Sequence, residues 1–93
     1  MAVTFVIPGP LRRFTEGQRE ITIEPSRPVL SAALEELWLR CPGMRDRVLT
    51  EQSQVREHIN IFIGNENIRY LGGLDAQLPD GVEISIMPAI SGG

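Results

Sequence analysis

Four short runs of alternating apolar residues and a single helical stripe leave this chain very few ways to fold. Val3, Phe5 and Ile7 share one face of a strand by the two-residue period, and Pro8-Gly9-Pro10 ends it. Arg19-Glu20-Ile21-Thr22-Ile23-Glu24 alternates most cleanly, with Ile21 and Ile23 inward and the polar residues outward. Leu11 to Gln18, with Gly17 inside it, is a turn-rich connection that makes these two runs a hairpin with a wide loop. Ile59-Asn60-Ile61-Phe62-Ile63 and Val82-Glu83-Ile84-Ser85-Ile86 repeat the pattern late in the chain. Between the two pairs, Leu30, Ala33, Leu34, Leu37, Trp38 and Cys41 recur at three- and four-residue steps, one stripe of an amphipathic helix.

The punctuation supports this division. Ser26 is the expected N-cap of the helix, with Pro28 in the first turn, where a missing N–H costs nothing. Pro42-Gly43 pairs a helix breaker with a residue suited to left-handed backbone and ends the helix. Trp38 and Cys41 lie on or beside the stripe and are read as core, not as binding groups. Met44, Val48 and Leu49 can anchor one short helical turn, and Thr50 to His58 reads as a polar surface loop. His58, the only histidine, has no ligand or catalytic partner at suitable spacing and is read as a solvated surface residue. A short strand is expected at Ile68-Arg69-Tyr70-Leu71, Leu74 and Leu78 pack beneath a loop, and Asp80-Gly81 marks a tight turn. The order strand, strand, helix, strand, short strand, strand predicts one two-layer α+β domain. The arrangement that fits is a β-grasp over residues 1–87: a mixed sheet of four to five strands on one main helix, with a flexible tail over residues 88–93.

Ninety-three residues hold one core, and at 10.3 kDa roughly 64% of the unfolded chain's surface would be buried on folding. The apolar runs are far shorter than a membrane span, and the chain enters strand alternation without a signal-peptide pattern. One cysteine cannot form an internal disulfide, so a reducing cytoplasm is the default location. A net charge of −3 argues against nucleic-acid binding, which needs a basic face. All nine basic residues are arginine. Genomic base composition is one reading of that bias. The other is that an activated C-terminal acyl group lasts longer on a protein without ε-amine nucleophiles.

The last six residues, Pro88-Ala89-Ile90-Ser91-Gly92-Gly93, have nothing left to pair with as strand. Fully extended they reach at most ~20 Å, far enough to carry the Gly93 carboxylate into another protein's active site. Two terminal glycines suit a channel too narrow for a Cβ. That carboxylate, ionised at neutral pH, can attack the α-phosphate of ATP. The chain has no phosphate-binding glycine loop followed by Lys-Ser or Lys-Thr, so nucleotide and Mg²⁺ must come with a partner. No cofactor site and no nucleophile–base pair, metal cluster or close carboxylate pair is legible, which argues against an enzyme.

From Asp80 the residues read D-G-V-E-I-S-I-M-P-A-I-S-G-G, which resembles the closing signature of the ThiS/MoaD family of ubiquitin-like sulfur carriers. I-N-I-F-I-G-N-E-N-I-R (59–69) is similar to that family's central strand and turn, and V-T-F-V-I-P-G-P-L-R (3–12) to its opening strand. L-R-R-F-T-E-G-Q (11–18), the long 44–58 connection and R-Y-L-G-G-L (69–74) resemble most the sulfur carriers of cysteine biosynthesis. Val82, where many members have aspartate, and Ser91, where alanine is common, depart from the pattern. The resemblance implies a carrier adenylated at Gly93 by a separate E1-like enzyme with ATP and Mg²⁺. A sulfurtransferase or sulfide then supplies sulfur to give a thiocarboxylate. That sulfur passes to a synthase, in first place a cysteine synthase acting on an activated serine derivative, otherwise to thiamine, molybdopterin or thiolated-tRNA synthesis.

Alternation also predicts an outward face. Asn60 and Phe62 on one late strand, and Glu83, Ser85 and Met87 on the other, point away from the helix. If those strands are neighbours, Phe62 and Met87 form a small exposed apolar patch near the root of the tail, a docking surface for a partner. The acidic balance suits a partner with arginines around its entrance. Two rival readings remain open: a ubiquitin-like modifier conjugated through Gly93, and a plain β-grasp interaction module.

Overall fold

The computed structural model describes residues 1–88, so the expectations placed on Ala89, Ile90, Ser91, Gly92 and Gly93 lie outside the described residues. Strand β1 (Val3–Val6) pairs antiparallel with β2 (Glu20–Ile23), the expected hairpin. Helix α1 (Leu30–Arg40) crosses the sheet, and a single turn, α2 (Arg45–Val48), follows it. Strand β3 (Ile59–Ile63), the two-residue β4 (Glu66–Asn67) and β5 (Glu83–Pro88) complete five strands in the order β2-β1-β5-β3-β4. β5 lies parallel to β1 and antiparallel to β3, which makes the sheet mixed. This is the β-grasp architecture.

The core is the set of inward positions that alternation picked out. Val3, Phe5 and Ile7 from the β1 run, Ile21 and Ile23 from β2, Ile59, Ile61 and Ile63 from β3, and Ile84 and Ile86 from β5 are all buried. They meet Leu30, Ala33, Leu34, Leu37 and Cys41 of the helical stripe, with Trp38 half-buried against the same cluster. Met44, Val48 and Leu49 close the end of the core beneath α2.

Two local expectations are corrected, and a third, the turn-rich connection, gains a definite form. Ser26 does not cap α1; the helix begins at Leu30 behind Val29, which has extended backbone and makes no side-chain cap. Val29 bridges Gln77 instead, and the Leu30 amide donates to the Ala76 carbonyl at 2.9 Å, so a distant segment satisfies the helix start. Pro28 favours this outcome, because a proline biases the residue before it towards extended backbone. The connection after β1 is not wholly irregular: Gly9–Phe14 forms a 3₁₀ turn. The short strand falls at Glu66–Asn67, and Ile68–Tyr70 is a 3₁₀ turn started by the Asn67 side chain, whose Oδ1 accepts from the Arg69 amide at 3.0 Å.

Candidate functional site at the root of the tail

Pro88 is the last described residue and the last residue of β5, paired with Ile59 of β3. The strand therefore runs one residue further than the 87/88 boundary read from the proline. Because β5 is parallel to β1, the C-terminal end of β1 and the segment after it lie at the same pole as Pro88. Two different surfaces flank it there.

The first is the open face of the sheet. Asn60 faces Met87 and Phe62 faces Ser85 across β3 and β5, so Phe62 and Met87 stand on one diagonal of the outer face. Met87 is 50% exposed and Phe62 is half-buried. Val6 of β1 is level with Ser85, which puts Val6, Ser85 and Phe62 in one row across three strands. The strands are neighbours, which brings Phe62 and Met87 together on the outer face.

The second surface is a hollow built from loops. Pro8, Pro10, Leu11, Arg13, Arg47, His58, Ile59 and Pro88 line its near part, and Arg47 and His58 continue into a part lined by Phe14, Gly43, Asp46 and Arg56. Arg12 fixes the first wall, its Nε donating to the Ile7 carbonyl at 3.0 Å, while Thr15 Oγ1 sits 2.7 Å from the Gln18 carbonyl oxygen and pins the following turn. Arg56 fixes the other wall, with Nε donating to the Asp46 carbonyl at 2.7 Å and its amide to Val48 at 3.0 Å. Phe14 stands between them. The Arg13 guanidinium lies 4.8 Å and that of Arg47 6.0 Å from the Phe14 ring centroid, both within cation–π range. Gly43 closes against the ring: a Cβ there would meet Phe14 Cε1 at 3.1 Å, and its φ of +94° disfavours any other residue.

Sequence reasoning missed this second surface, and it left His58, exposed as expected, without a role. Its lining carries Arg13, Arg47, Arg56 and His58 against Asp46, a local balance opposite in sign to the net charge of −3. Burial pushes the Cys41 thiol up from its ordinary pKa, outweighing the opposing pull of Arg40, which fits its reading as a core residue. Among the described residues there is no group of three or more potential metal ligands, and no helix is long and apolar enough to cross a membrane.

The ThiS family model matches residues 5–93. The chain belongs to the ThiS family. Along its whole length it is similar to the sulfur carrier protein CysO of Mycobacterium tuberculosis, at 34% identity over 95 residues covering 100% of both chains. A chain in the crystal structure of the BexX/CysO complex of Amycolatopsis orientalis is 31% identical with a TM-score of 0.83, over 98% of this chain and 99% of that one. The solution structure of small archaeal modifier protein 1 from Methanosarcina acetivorans is 31% identical with a TM-score of 0.79, over 99% and 96%. The match to the ThiS family takes in β3 and β5 and runs through to Gly93.

Proposed function

We propose that this chain is a sulfur carrier whose working group is the Gly93 carboxylate. The observation that supports the reading most strongly is that the ThiS family match includes the Gly-Gly end, together with full-length similarity to a protein named as a sulfur carrier. A carboxylate oxygen of Gly93 attacks the α-phosphate of ATP held by an E1-like enzyme, expelling pyrophosphate and forming an acyl-adenylate. Sulfide attacks the acyl carbon and expels AMP, leaving a thiocarboxylate. When a sulfurtransferase persulfide attacks instead, AMP leaves from an acyl disulfide, whose S–S bond a thiol reduces to give the same thiocarboxylate and a disulfide. The sulfur then attacks Cβ of an activated serine derivative in a cysteine-forming synthase, and the activating group leaves with the electrons of the C–O bond. Hydrolysis of the resulting acyl–cysteine link releases cysteine and restores the carboxylate. The chain itself supplies reach: Pro88 through Gly93 spans at most ~20 Å, with no side chain beyond Ser91 to obstruct a narrow channel. The Phe62–Met87 diagonal beside the root is the proposed apolar contact with the receiving enzyme.

The test is intact-mass analysis of the chain purified from its host, beside a chain ending at Ser91. The full chain should include molecules in which one oxygen is replaced by sulfur, and the shortened chain should include none. Sulfur on neither chain contradicts the reading. A second reading, conjugation of Gly93 to amines of other proteins, draws support from the similarity to a protein named as a modifier. It is favoured if Gly93 is recovered only in branched peptides.

A further inference from the structure

The hollow beside Pro88 gathers cations that the fold does not use. Arg12, Arg45 and Arg56 are committed: Arg12 to the Ile7 carbonyl, Arg45 to Asp46 and Ser53, and Arg56 to the Asp46 carbonyl. Arg45 with Asp46, at 3.2 Å, is the only ion pair among the described residues. Arg13 and Arg47 have no carboxylate partner among those residues, and both are exposed, with their guanidinium groups near the Phe14 ring. His58 adds a third basic side chain to the same wall, and Asp46, at the far edge, is already paired. In a chain with a net charge of −3 this is a local reversal of sign.

The position of this surface limits what can cover it. Only five residues follow Pro88, a reach of at most ~18 Å when extended. An enzyme that takes Gly93 into a buried site must therefore close its entrance over the surface that touches Pro88, and Arg13, Arg47 and His58 share a hollow with Pro88. Guanidinium forks pair bidentately with carboxylates, so the matching surface is acidic. We propose that this hollow docks on carboxylate side chains rimming the entrance of the enzyme that receives the tail. The inference rests on the sulfur-carrier reading, because it takes the tail to be inserted into a partner.

The test follows accumulation of the thiocarboxylate form in the host after induction, by intact mass, for the unaltered chain and for Arg13→Glu, Arg47→Glu and Arg27→Glu. Arg27 is exposed, and it precedes the Val29–Gln77 bridge at the pole opposite Pro88, so its reversal controls for overall charge. Initial accumulation should fall about tenfold for Arg47→Glu and Arg13→Glu and change less than about twofold for Arg27→Glu. Arg47→Gln, which removes charge without reversing it, should lie between and guards against a folding defect. Equal accumulation in all variants, or an equal fall for Arg27→Glu, overturns the docking inference while the carrier reading stands. If the unaltered chain never gains sulfur, the carrier reading is the one that fails. The hollow is then judged by titrating the chain with hexaglutamate while following arginine Nε–Hε resonances. Saturable shifts confined to Arg13 and Arg47, and abolished by high salt, support a carboxylate-binding surface. Parallel shifts of all arginines, or tighter binding of tripolyphosphate at the same place, overturn it.

Discussion

The two flanks of Pro88 are built by different means and offer different chemistry. On the sheet side, Phe62 and Met87 project from paired strands, so backbone hydrogen bonds between β3 and β5 set their position. On the loop side, Arg13, Phe14, Arg47 and His58 come from three separate segments, held by single side-chain contacts such as Arg12 to Ile7 and Arg56 to Asp46. The sheet side near Pro88 sets Phe62 and Met87 among the uncharged Asn60 and Ser85 and depends little on salt. The loop side, by contrast, is charged and screened beyond about 10 Å at 0.1 M salt. Pro88 thus has on one side a flank suited to burying area and on the other a flank suited to pairing with carboxylates.

Disrupting the frame common to both flanks should have the largest effect. Ile84, fully buried on the inner face of β5, carries the strand that leads to Pro88. Ile84→Ala should cost about 2–5 kcal/mol in urea unfolding and weaken both flanks together. Gly43→Ala should separate them. A Cβ at φ +94°, 3.1 Å from the Phe14 ring, should cost about 1–3 kcal/mol and displace the platform beneath Arg13 and Arg47. Amide resonances of β3 and β5 should stay in place while those around residues 13, 14 and 47 move; uniform movement would mean that the flanks are not independent. Met87→Ser should alter stability by less than about 0.5 kcal/mol, since the side chain is half exposed. Any loss of partner affinity it causes should persist at high salt, and a salt-sensitive loss would blur the distinction.

The pH dependence contributed by Cys41 should be the smallest effect. Burial raises its folded pKa above that of the unfolded chain, so the folded state keeps its proton to higher pH. Its contribution is fully present below the unfolded value of about 8.5 and declines as pH rises through the folded pKa. Stability measured from pH 8 to 10 should fall more steeply for the unaltered chain than for Cys41→Ala.

What was legible divides along the same line. Most inward positions of the four long strands, the helical stripe and the Phe62–Met87 diagonal follow from a local period and could be read from neighbouring residues alone. Val82, by contrast, lies before β5 and is only partly buried. The start of α1 could not, because Val29 is held by Gln77, 48 positions along the chain, and local capping chemistry at Ser26 carried no sign of that. The basic hollow could not either. Arg13 and Arg47 meet over Phe14 only after two irregular segments have packed, and net charge, a sum over the whole surface, concealed a local excess of the opposite sign. A close Arg-Phe pair in a loop at 13–14 was the only hint in the sequence.

The proposed sulfur on Gly93 can be measured directly. Arg69 is the last basic residue, so trypsin releases Tyr70 to Gly93 as one C-terminal peptide. Fragmentation of that peptide, from the chain purified under native conditions from its host, should place a sulfur-for-oxygen exchange on the terminal residue in part of the population. A peptide bearing only oxygen at Gly93, while the chain is made alongside the host's own sulfur-transfer enzymes, would contradict the account.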